Sequence, residues 1–146
     1  MRPEQLATVL RVRRHHRDRI RSAMARILAE GRAIEERRRQ TDLDRADALQ
    51  SLRSGMSEGP INVDQMAGLR YHAAQLSIEL SQLSLAVTAQ SQHVKAAQAL
   101  LAKAEQGVKA VEKLQERHAA QVRLTDERKR DREATDLFAL KRYRDG

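Results

Sequence analysis

The sequence predicts an all-α fold: a long two-helix antiparallel coiled-coil hairpin with a C-terminal helical overhang. Three observations predict it. From Met66 to Val111, apolar or small residues recur at alternating steps of three and four, through Met66, Leu69, Ala73, Leu76, Leu80, Leu83, Val87, Gln90, Val94, Ala97, Leu101, Ala104, Val108 and Val111, and only Gln90 breaks the series. Such a run specifies a coiled-coil seam, because it keeps a narrow stripe facing one partner helix. The two prolines, Pro3 and Pro60, leave two long uninterrupted stretches between and after them, and proline is the residue a helix interior excludes. Aromatics make up only 2% of the chain while 33% is charged, so the core is built from aliphatic side chains on helices packed against each other.

The first helix is expected over about residues 3–54. Pro3 suits a first turn, where its missing N–H costs nothing, and Glu4 lies favourably near the positive end of the helix dipole. Its seam reads Leu6, Val9, Leu10, Ile20, Ala23, Met24, Ile27 and Ile34. Arg13, His16 and Arg17 fall on the same stripe, where long stems can cover small neighbours while the charge stays in water. From Glu35 to Asp44 the seam fades into charge. It is expected to resume one position out of step at Leu43, Ala46, Leu49, Leu52 and Met56, a slip that would locally alter the supercoil.

Gly55, Gly59 and Pro60 mark the turn, expected over 55–61. Asn62 is placed to cap the second helix, with Gln65 in the capping-box position, and helix-forming sequence continues to about residue 142. A short connection makes the two helices antiparallel neighbours, pairing positions whose numbers sum to about 117 if the turn centres near residue 58. Ile27 then lies near Gln90, Leu6 near Val111 and Arg13 near Ala104. Helix one runs out opposite residues near 114–116. Beyond lie roughly 28 residues, about 42 Å of helix, without a partner in the chain. Pairs such as Asp126–Arg130 could support this overhang. The chain is expected to form a single coiled-coil domain.

The net charge of +8 is unevenly placed. Residues 1–40 hold twelve Lys/Arg against five Asp/Glu, so the basic character belongs to the first helix. There is no cysteine, which excludes disulfides and thiolate metal sites. His15, His16, His72, His93 and His118 offer no two ligands at i,i+4 on one helix. No phosphate-cradling glycine loop and no acid–base constellation is present, so neither enzyme activity nor a cofactor is expected. No apolar stretch reaches the roughly 18 residues of a membrane span, and a basic run follows the N-terminus in place of a signal peptide's apolar region. A cytoplasmic location is expected. The run from Arg11 to Arg21 could attract nucleic acid, but it lacks aromatics for base stacking and a parallel seam of its own.

The basic amphipathic start Leu6-Ala-Thr-Val-Leu-Arg-Val-Arg-Arg14 and the long hairpin resemble the flagellar export protein FliJ family and its injectisome counterpart of the YscO type. So do Lys113-Leu-Gln-Glu-Arg117, Glu127-Arg-Lys-Arg-Asp131 and Asp136-Leu-Phe-Ala139. In that family the last element reads Asp-Glu-x-Ala with a Glu five residues before the Asp; here Asp131 and Leu137 stand at the departing positions. The resemblance implies a stalk that inserts into the ring of an export ATPase (FliI-like) and engages the membrane export gate protein and export chaperones. No nucleic acid is expected as a partner, and association with the inner-membrane export apparatus would run through protein partners only. On the same footing, Arg13, Arg14 and Arg17, with Arg128, Arg130, Asp131 and Asp136, would contact the ATPase. Two other readings fit the composition: a generic coiled-coil scaffold that dimerises through its overhang, and a basic helical nucleic-acid-binding protein.

Overall fold

A computed structural model describes residues 2–146 and is helical almost throughout. Helix α1 spans Pro3–Ser57 and α2 spans Val63–Asp145, packed against each other as a hairpin; the described residues contain no strand. At the turn, Gly59 adopts φ +75°, a left-handed conformation that only glycine enters without a Cβ penalty. Helix α1 carries on past Gly55 to Ser57, whose hydroxyl donates to the Arg53 carbonyl at 3.0 Å. Asn62 caps α2: its Oδ1 accepts from the Gln65 amide at 3.2 Å and its carbonyl from the Met66 amide at 3.0 Å, satisfying donors that a helix start otherwise leaves open.

By contacts the chain divides into two compact units, Ile20–Leu100 and Met1–Arg19 with Leu101–Gly146. In the first, Ala48, Ala73 and Leu76 form a buried cluster. In the second, Leu6, Leu10, Val108 and Val111 do so, with Val9 packed on them. All fourteen seam positions from Met66 to Val111 are buried or half-buried, because a 3.5-residue repeat keeps them all turned toward α1.

The α1 seam differs from expectation at one point. It does not slip beyond Glu35. Thr41 and Ala48 are buried and Arg45, Leu52 and Gly55 half-buried, while Leu43, Leu49 and Met56 stay exposed. These positions continue the stride of Ile20, Met24, Ile27, Gly31 and Ile34, with exposed Arg38 standing between Ile34 and Thr41. Apolar size misled the sequence reading, since the seam here accepts small residues. Thr41, with no exposed surface at all, donates its hydroxyl to the Arg37 carbonyl at 2.8 Å, so its polar atom is satisfied inside its own helix.

Candidate partner-docking site

The unit formed by Met1–Arg19 and Leu101–Gly146 contains all seven residues expected to meet a partner, and it divides them into two groups. Arg13, Arg14 and Arg17 lie on the paired part of the hairpin. Arg13 lies across α2: a Cβ added at Gly107 would come 2.8 Å from its Nη1. Its guanidinium thus reaches Gly107, one turn along α2 from Ala104, the residue expected opposite it. Arg14 donates to Glu112 Oε1 at 3.2 Å. Arg17 reaches Asp18 Oδ1 at 3.0 Å, with one fifth of its side chain exposed. These arginines are therefore partly engaged within the fold. Glu112, which the sequence does not single out, holds Arg14, and Gly107, a glycine expected to mark close helix approach, lies under Arg13; a long flexible cation gives no periodic signal to show where its head will settle.

Arg128, Arg130, Asp131 and Asp136 belong to the second group. His118 is the last half-buried residue, and everything from 119 to 146 is exposed. This extension carries eight Lys/Arg and six Asp/Glu. The expected Asp126–Arg130 pair is not formed, and among the described residues no charged side chain of the extension makes an ion pair. At an exposed site such a pair gains too little to hold two long side chains in place. The hydrogen bonds here are local, as where the Thr135 hydroxyl donates to the Asp131 carbonyl at 2.8 Å. Its large apolar side chains are open to solvent: Leu137, Phe138 and Leu140 are about two-thirds exposed (67%, 68% and 65%) and Tyr143 is 88% exposed. At about 100° per residue these four spread over more than half the circumference of the helix.

Among the described residues no group of His, Asp and Glu is arranged to hold a metal, and no helix is long and apolar enough to cross a membrane. The site offers charge, exposed aliphatic and aromatic surface, and a backbone that bonds only to itself.

A helical hairpin with one helix running on past its partner belongs to the class of all-α coiled-coil hairpin proteins. Comparison with family models narrows it: residues 1–146 match the flagellar FliJ protein family. The chain belongs to the FliJ family, whose members are non-enzymatic components of flagellar type III export. Neither the curated proteins nor the solved structures yield a match.

Proposed function

We propose that this chain is a cytoplasmic stalk and coupling component of the flagellar export apparatus, peripheral to the inner membrane through its partners. In this reading the extension and the basic start of α1 insert into a FliI-like export ATPase ring and stimulate it. The hairpin body links the ring to the export gate protein and to export chaperones. One observation carries the reading: the extension is a single helix exposed on every side. A lone helix has nothing to offset the entropy of ordering its backbone except its own hydrogen bonds. Leu137, Phe138, Leu140 and Tyr143 face several directions at once, so a flat partner could cover only part of them. A socket that surrounds the helix covers them all, and a ring of subunits is such a socket.

The experiment is an ATPase assay on the purified export ATPase with and without the full chain. Added protein should raise the rate. The triple variant Leu137→Asp, Phe138→Asp and Leu140→Asp, which touches no packed residue, should abolish that increase while the variant keeps wild-type thermal stability. Unchanged stimulation by this variant would refute the assignment of the extension to the ring.

A further inference from the structure

Between Ile34 and Ala48 the α1 side of the hairpin seam carries no apolar side chain. Residues 35–47 read Glu-Glu-Arg-Arg-Arg-Gln-Thr-Asp-Leu-Asp-Arg-Ala-Asp. Of these, Thr41 is buried and Asp44 and Arg45 are half-buried, while Leu43 and Ala46 are exposed. The window covers about 20 Å of helix. On one side of it Ile20, Ala23, Met24, Ile27 and Ile34 are half-buried; on the other Ala48 is buried and Leu52 half-buried. Helix α2 has no such gap, because Leu76, Leu80 and Leu83 continue its seam, buried or half-buried. The mismatch leaves room between the helices. A cleft of about 370 Å³ is lined by Glu35, Arg38, Arg39 and Asp42 of α1 and by Leu80 and Ser84 of α2. All of these residues lie in the unit Ile20–Leu100.

What the window has in place of apolar contact is polar, and most of it stays within α1. Glu36 meets Arg39 at 2.7 Å and Glu35 meets Arg38 at 3.9 Å. Gln40 donates to Asp44 at 3.0 Å, and the buried Thr41 hydroxyl donates to the Arg37 carbonyl of its own helix. The ion pair to α2 is Arg37–Glu79 at 2.6 Å, and more than half of that arginine side chain is exposed. A pair so open to water is screened and adds little. Apolar burial is what holds two helices together against the entropy of the free chain, and here α1 brings no apolar side chain to it. We infer that residues 35–47 are a built-in point of opening, where α1 lifts from α2 and frays while the seam stays closed on both sides. So short a helix is marginal in water without packing, so release from α2 also unwinds it and frees its amides. The opening is sub-global and takes less free energy than unfolding of the whole hairpin.

Hydrogen–deuterium exchange of the full chain, followed peptide by peptide, tests this. Amide protection over residues 35–47 should be at least ~10-fold lower than over residues 20–34. The double variant Arg38→Leu with Arg45→Leu puts two apolar side chains on the α1 seam. It should raise protection over 35–47 at least ~10-fold, with a smaller change over 20–34. Equal protection of the two segments in the unmodified chain overturns the inference. A double variant whose window exchanges as fast as before overturns it too, since the missing apolar contact would then not be the cause.

Discussion

Gln90 reaches across the hairpin and donates its side-chain amide to the main-chain carbonyl of Ile27. It can do so because Gly31, one turn beyond Ile27, has no side chain in the way: a Cβ there would stand 3.3 Å from both Gln90 Cγ and Nε2. The one polar interruption in the α2 seam thus meets a glycine on α1. A polar residue that finds its partner at a single alignment favours that alignment over its neighbours, and 27 with 90 sums to the 117 expected from the turn.

This notch predicts a coupling. Gly31→Ala gains helix propensity worth about 1 kcal/mol but must push Gln90 aside, so alone it should change stability by less than ~1 kcal/mol. In a Gln90→Ala background the obstruction is gone and the same change should stabilise by about 1 kcal/mol. Thermal unfolding followed by circular dichroism on the four proteins measures the difference.

Gly107→Ala should behave otherwise. The atom nearest the added Cβ is the end of a flexible side chain, Arg13 Nη1, which can swing into solvent. Stability should rise by about 0.5–1 kcal/mol. If ATPase stimulation needs Arg13 where it now lies, the same variant should lose it.

At the turn, Gly59→Ala forces a Cβ into a left-handed conformation and should cost about 1 kcal/mol. No neighbour lies within 4 Å of that Cβ, so the loss would be conformational and not steric. Gly59→Asn, which tolerates positive φ better, should recover part of it.

Leu10→Ala should destabilise by about 2–3 kcal/mol, near the low end for a core leucine, because a two-helix seam can partly collapse around the gap. Truncation after His118 should leave the unfolding midpoint of the hairpin within the error expected of surface changes, about 0.5 kcal/mol, since no residue from 119 onward is buried. Helical signal should fall with the lost residues, and ATPase stimulation should vanish.

The Arg14–Glu112 pair allows fold and docking to be separated. Both side chains are about half exposed, 50% and 41%, so Arg14→Glu alone should cost well under 1 kcal/mol. The exchange Arg14→Glu with Glu112→Arg restores the attraction while moving the positive charge to α2. A defect in stimulation repaired by the exchange would mean that Arg14 acts through the fold. A defect that persists would mean that a partner reads the charge on α1.

Much of this was legible in the sequence, for identifiable reasons. The seam of α2 was readable because a 3.5-residue repeat allows one helical face only, and each of its positions from Met66 to Val111 is turned inward. The cap at Asn62 was readable because its side chain acts on an amide three residues away. The α1 seam beyond Glu35 was misread because side-chain size was taken as the signal. Leu43, Leu49 and Met56 are large but lie outside, while Thr41 is small and fully buried.

The sequence by itself determined two long helices, the turn between them and the length left over at the C-terminus, because proline, glycine and heptad spacing act locally along the chain. Only the tertiary structure decided where the arginines go and which apolar residues remain uncovered. Arg13 over Gly107, Arg14 on Glu112 and Gln90 on Ile27 each join residues more than sixty positions apart. Such meetings depend on the alignment of the two helices, and a shift of one turn would change every one of them.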